Sequence, residues 1–224
     1  MMSGNKKQKE WIGYNDKNIH HLPFPYKNKI KKMSASDFLV KSLKKLEKKI
    51  NLKKDVCGVM IETFQGWGAV YYPKKYIQTL VKICKKNKIL VAFDEMQAGF
   101  ARTGFNFGYQ HYGVEPDLLC VGKGMGGGVP LSGVVGRANI LDLPEVGNMS
   151  STHSANPLVC GAGLAVLREI ERLNLVSETR RKGNLFKNGL KSIQAKFPDR
   201  VSYVLGEGLI LAILFKNPID SKPD

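Results

Sequence analysis

No stretch of this 224-residue chain approaches the roughly 18 consecutive apolar residues that a membrane-spanning helix needs, so no membrane partner is expected. Met1–Glu10 is polar and lysine-rich. It lacks the apolar segment and small-residue cleavage site of a secretory signal, which points to a cytoplasmic protein. Cysteine is scarce: Cys57, Cys84, Cys120 and Cys160, none in a C-x-x-C pair and each within an apolar segment. They read as small buried thiols rather than ligands or disulfides. The four histidines have no ligand spacing, His20 and His21 being adjacent and His111 and His153 isolated, so no metal is expected. Arginine is also scarce, seven against 28 lysines, and absent before Arg102. The net charge of +16, with fifteen lysines before residue 55, could serve phosphate neutralisation. Surfaces that clamp phosphate or read bases favour arginine, however, and no aromatic residues interleave with these lysines. A solvated lysine-rich surface, with no nucleic-acid partner, is the expectation.

What is present is apolar patterning. Residues 1–33 read as irregular, with Pro23 and Pro25 forbidding a helix there. Leu39, Leu43, Leu46 and Ile50 mark an amphipathic helix that Ser34 can cap, with Asp37 three residues on. Cys57–Ile61 reads as a buried strand. A helix follows from about Pro73, with Ile77, Leu80, Val81 and Cys84 inward. Ile89–Phe93, ending at Asp94, and Leu118–Val121, ending before Lys123, read as further buried strands, and Ser132–Gly136 as a fourth. Asn156-Pro157 opens a helix with Cys160, Leu164, Leu167 and Ile170 inward. Another spans Ser177–Phe197 with Phe186, Leu190, Ile193 and Phe197 inward. Gly206–Phe215 reads as a strand, and the last nine residues show no pattern.

Alternating strands and helices with continuous apolar strands predict an α/β fold with a mostly parallel sheet covered on both faces. Ligands of such sheets bind beyond the carboxyl ends of the strands. Glu62, Asp94 and Lys123 each stand just past such an end, so two acids and an amine converge on one sheet edge. Gly122–Gly128 is glycine-rich around Lys123, but Asp117 and Gly124 stand where a phosphate-binding P-loop needs a glycine and a hydroxyl. A glycine-flanked lysine paired with a strand-end carboxylate fits a different need. Pyridoxal phosphate (PLP) requires an amine to form a Schiff base and a carboxylate that keeps its pyridine nitrogen protonated.

Val91–Gly104 (VAFDEMQAGFARTG) resembles the D-E-x-Q-x-G-x-x-R-T-G signature of class III aminotransferases, the ornithine and 4-aminobutyrate type. Val114–Gly128 resembles the segment around that family's Schiff-base lysine, and Ser151–Pro157 its phosphate-binding loop. The resemblance runs from about residue 20 to residue 216. It implies a three-layer fold type I large domain, incomplete here, with PLP as cofactor and an amino donor and a 2-oxo acid as substrates. It implies that Lys123 forms the Schiff base and shuttles a proton, and that Asp94 pairs with the pyridine nitrogen. Met96 would pack on the ring, Gln97 would bond its 3-oxygen, and Glu62 would support the site. Thr152 would serve the phosphate of the neighbouring subunit in a homodimer, while Arg102 and Thr103 would shape a turn. The implied organisation is an irregular lysine-rich segment at 1–33, a cofactor-binding portion at 34–175, and the start of a C-terminal small domain at 176–224.

The likeness has departures. The family's E-P-x-x-G-E-G-G reads Glu62–Ala69 (ETFQGWGA) here, and Trp67 replaces a glutamate, which argues against 4-aminobutyrate-type specificity and for a more apolar pocket. The family's phosphate cup, stacking aromatic and substrate-carboxylate arginine fall outside the matched segment, so weak PLP binding and little turnover are expected of this chain alone. Decarboxylation-dependent transamination, an aminomutase, a racemase and an inactive remnant are the alternatives on the same scaffold.

Overall fold

The computed structural model describes residues 10, 16–26, 30, 33–66 and 68–216. The chain divides into two compact units, one up to Asn51 and one from Leu52. In the first, residues 16–26 carry only a turn and extended chain, as the two prolines require, although the backbone is helical at Glu10 and Ile30, where irregular structure was expected. The remainder of 1–33, Trp67 and residues 217–224 lie outside the described residues. Helix α1 spans Ala35–Glu47, and Ser34 Oγ accepts from the Asp37 amide at 3.1 Å. Leu39 and Leu43 are its buried positions; Leu46 is half-buried, and Ile50 lies beyond its end.

The second unit opens with the short helix α2 (Leu52–Asp55) and builds a four-stranded sheet from β1 (Gly58–Glu62), β4 (Leu90–Asp94), β5 (Leu118–Val121) and β6 (Gly133–Gly136). The order is β1-β4-β5-β6; β1, β4 and β5 are parallel, and β6 runs antiparallel to β5. Helix α3 (Lys74–Asn87) connects β1 to β4, which a parallel pair requires. It buries the expected stripe, Ile77, Leu80, Val81 and Cys84, together with Tyr76. A two-stranded ribbon of β2 (Phe64–Gln65) and β3 (Val70–Tyr71) precedes α3. The ribbon and a 3-10 turn at Gly108–Tyr112 had no apolar period to announce them.

The mostly parallel sheet is flanked by helices, as expected, but its two faces are not equally buried. Val91 and Phe93 point to one face and are fully buried, whereas Leu90, Ala92 and Asp94 on the other are half-buried. The closed face holds α3 and the rings of Tyr109 and Tyr112, whose centroids lie 6.0 and 6.4 Å from that of Phe93. β1 is an edge strand with alternating exposure rather than a buried one, because only β4 pairs with it. The same openness corrects the cysteines. Cys84 is buried and Cys120 half-buried, but Cys57 and Cys160 are exposed.

After β6 come the short α4 (Ala138–Leu141), then α5 (Pro157–Arg172), α6 (Leu175–Lys196) and a hairpin of β7 (Val201–Glu207) and β8 (Ile210–Phe215). The single strand expected at 206–215 is thus the second arm of a hairpin that turns at Gly208. Neither expected helix stripe is buried. In α5, Cys160, Leu164 and Leu167 are exposed, and so are Phe186 and Ile193 of α6 and Phe197 just past its end. Each helix packs instead through a glycine face. Gly163 of α5 lies where a Cβ would come within 2.6 Å of Leu131, and Gly183 of α6 lies directly against the Gly208 backbone. Close backbone approach sets the rotation of these helices, and a hydrophobicity period cannot register it.

Candidate active site

Strand register places the site. Glu62 pairs with Asp94 across β1 and β4, and Asp94 with Cys120 across β4 and β5, three residues before Lys123. Neighbouring strands lie about 4.8 Å apart, so the two carboxylates stand side by side at the carboxyl edge of the sheet. They share the open face, since side chains alternate and Val91 and Phe93 take the closed one. The electrostatics record the meeting. Glu62 is exposed, yet partial desolvation at the sheet edge and then the neighbouring Asp94 carboxylate raise its carboxyl above the ordinary range, and the Lys123 ammonium partly offsets them. The Cys120 thiol is raised by burial and by Asp94.

Asp94 is half-buried, and its Oδ1 accepts from the Met96 amide at 3.0 Å. This local turn holds the carboxylate at the strand end and leaves its other oxygen without a hydrogen-bond partner among the described residues. Met96 folds back over Gly122: a Cβ there would sit 2.5 Å from the Met96 sulfur. A side chain in place of the glycine before Lys123 would displace this methionine from its present position. Gln97 lies against the turn after β2, where a Cβ on Gly66 would meet its Oε1 at 2.6 Å. Lys123 opens a 3-10 turn, Lys123–Gly126, with φ of 46°, and is exposed. Beside it is an open pocket of about 460 Å³ lined by Gly128, Val129, Pro130, Leu131 and Ser132. That size falls in the range of small-molecule sites.

Five of the expected residues, Glu62, Asp94, Met96, Gln97 and Lys123, thus gather at one edge. Thr152 does not join them. It sits in an exposed turn at 151–155, and no hydrogen bond or ion pair ties it to the other five among the described residues. Every residue from Leu141 to Leu158 is exposed, including Leu143, Val146 and Met149. Arg102 and Thr103 shape a turn as expected: the Arg102 carbonyl accepts from the Leu209 amide at 3.0 Å, and the Thr103 carbonyl lies 3.2 Å from His111 Nε2.

One residue of consequence had no assigned part. Glu95 is fully buried, next to Asp94 in sequence and on the closed face. Its carboxylate accepts from the Thr63 hydroxyl at 2.5 Å and from the amides of Gly108 and Tyr109, each at 2.7 Å. An acid directly after a strand-end acid, in phase with Val91 and Phe93, was the available signal.

The group that these residues fit is PLP. They provide an amine beside an open pocket that the other four do not line, a carboxylate with one oxygen unengaged among the described residues, and a thioether against the glycine that precedes the amine. Among the described residues, no cluster of His, Cys, Asp and Glu could hold a metal ion, and no helix is long and apolar enough to cross a membrane.

Comparison with known proteins agrees. The family model for class-III aminotransferases matches residues 1–223. An acetylornithine aminotransferase of Caldanaerobacter subterraneus subsp. tengcongensis is 38% identical over 158 residues, covering 70% of this chain and 40% of that protein. A 4-aminobutyrate aminotransferase of Mycobacterium leprae is 33% identical over 208 residues, covering 91% of this chain and 46% of the relative. Among solved structures, an (S)-enantioselective omega-transaminase from Thermomicrobium roseum superposes with a TM-score of 0.83 at 29% identity, over 98% of this chain and 50% of that one. The chain spans about half the length of the relatives it matches.

Proposed function

Because this chain belongs to the class III aminotransferases, fold type I enzymes that use PLP, we propose that it supplies the cofactor-holding edge of an enzyme moving an amino group from an amine or amino acid to a 2-oxo acid. The observation that carries this reading is the register of Glu62, Asp94 and Cys120, which sets two acids and Lys123 at one end of the open face. PLP, when bound, supplies an electron-accepting ring that stabilises charge at the substrate carbon. Lys123 is the attachment amine and afterwards carries the proton at its Nζ. Asp94 holds the proton on the ring nitrogen with its free carboxylate oxygen. Met96 supplies the apolar surface against the ring, and Gln97 the hydrogen bond to its 3-oxygen. Glu62 backs Asp94 as its register partner across β1 and β4.

Thr152, exposed and apart from Lys123, serves the phosphate bound by a second copy of the chain. The exposed apolar residues Leu143, Val146 and Met149 around it support a homodimer. We assign residues 34–175 to the cofactor-binding portion, 176–224 to the start of a second domain and 1–33 to a lysine-rich lead-in, in a cytoplasmic protein. Relatives named for acetylornithine and 4-aminobutyrate support donors with a terminal amine, and Trp67 in place of the family's glutamate favours the less polar of them over 4-aminobutyrate itself.

The test is product analysis. With the weak PLP binding and little turnover expected of this chain alone, the full chain at high concentration, with excess PLP and a panel of ω-amino acids and simple amines, is expected to convert the cofactor slowly to pyridoxamine phosphate and the donor to its carbonyl product. Release of carbon dioxide, or racemised or rearranged donor without a carbonyl product, would replace transamination with another chemistry. No donor conversion would leave the chain a non-catalytic member of the family.

A further inference from the structure

The two acids of the site each have a successor on the closed face, and the successors are bonded to each other. Glu62 and Asp94 are register partners on the open face. One step on, Thr63 and Glu95 extend the same register on the closed face, and the Thr63 hydroxyl donates to Glu95 Oε1 at 2.5 Å. β1 ends at Glu62 and β4 at Asp94, so the backbone ladder stops where the carboxylates need to be held. Beyond that point the side-chain bond ties the two strand ends together. Its other partners fix it in turn. The Gly108 and Tyr109 amides hold the Glu95 carboxylate, and the Tyr112 hydroxyl donates to the Thr63 carbonyl at 2.5 Å and accepts from the Tyr72 amide at 3.2 Å. Gly108 must be glycine, since a Cβ there would come within 2.7 Å of both Thr63 and Ala98. Thr63 and Glu95 are both fully buried. Keeping a carboxylate there costs free energy that an apolar pair would not, and burial does raise the Glu95 carboxyl against its three donors.

From this geometry we infer that Glu95, acting through Thr63, is a positioning residue that sets the separation and pitch of Glu62 and Asp94, and so the carboxylate presented to the cofactor. The inference rests on the reading of Asp94 given above.

The experiment uses the full chain with Thr63→Val, Thr63→Ser, Glu95→Gln and Asp94→Asn, and PLP as the probe, well below the melting temperature of every variant. Thr63→Val keeps shape and removes only the hydroxyl. It is expected to weaken PLP binding at least about fivefold, with Glu95→Gln similar and Thr63→Ser within about twofold of the parent. A second readout needs no cofactor: carboxyl NMR of the unliganded chain, following Glu62. Because part of its elevation comes from Asp94 beside it, Thr63→Val is expected to let the Glu62 carboxyl fall back toward its ordinary range, and Thr63→Ser to restore it. If Thr63→Val and Glu95→Gln bind PLP like the parent while Asp94→Asn does not, the positioning role is wrong and the reading of Asp94 stands. If Asp94→Asn also binds like the parent, the reading of Asp94 fails; if the parent itself binds too weakly to compare, the PLP series bears on neither reading. The NMR titration then decides the positioning role alone, and an unmoved Glu62 in Thr63→Val overturns it.

Discussion

Asp94→Asn is expected to weaken PLP binding by the full chain about ten- to a hundredfold, the range that follows from losing one charge-assisted hydrogen bond. Asparagine keeps the shape of the side chain and an oxygen for the Met96 amide, so the local turn at 94–96 survives. It loses the negative charge that a protonated ring nitrogen requires. Stability should hardly change, because Asp94 is half-buried and makes one hydrogen bond to backbone. Titration of cofactor absorbance against chain concentration, beside a urea melt, separates the two effects. Loss of affinity with an unchanged melt supports the pairing. Equal losses in both would make Asp94 a structural residue.

The largest stability effect is expected at Phe93. Its ring is fully buried on the closed face between Tyr109 and Tyr112, one residue before Asp94. Phe93→Ala leaves a cavity that the strand and the 3-10 turn cannot fill by sliding, because Glu95 holds the same turn by two amides. The expected cost is about 3–5 kcal/mol, a large share of the roughly 5–15 kcal/mol typical of a domain. Val134→Ala on the edge strand β6, where the side chain is half exposed, is the contrast and should stay within about 0.5–1 kcal/mol. Urea midpoints measure both. Similar losses for the two would contradict a sheet with one closed face.

The strands that carry the chemistry were legible because β4 and β5 are short apolar runs, the first ending in Asp94 and the second followed two residues on by Lys123, and parallel pairing follows from the helix between β1 and β4. Helix α3 was legible down to its buried face, since that face packs side chain on side chain. Helices α5 and α6 were legible as helices but not in their orientation. Their contacts run through Gly163 and Gly183, which carry no hydrophobic signal, and the apolar residues that do carry it remain exposed. The ribbon of β2 and β3 escaped notice because two-residue strands have no period. At the site, Asp94, Lys123 and their neighbours could be found from strand ends and motif spacing. The bond between Thr63 and Glu95 could not, because residues 32 apart meet only once the register of β1 on β4 is known.

Lys123 is one of 28 lysines, most of the others lying on open surface, and this makes the central claim directly measurable. The full chain would be incubated with PLP, reduced with borohydride, digested, and its pyridoxyl-lysine peptides quantified by mass spectrometry. The site described here predicts label concentrated on the peptide containing Lys123, and its disappearance from that peptide in Asp94→Asn at limiting PLP. Label spread over the surface lysines, with Lys123 no more modified than the rest, would contradict it.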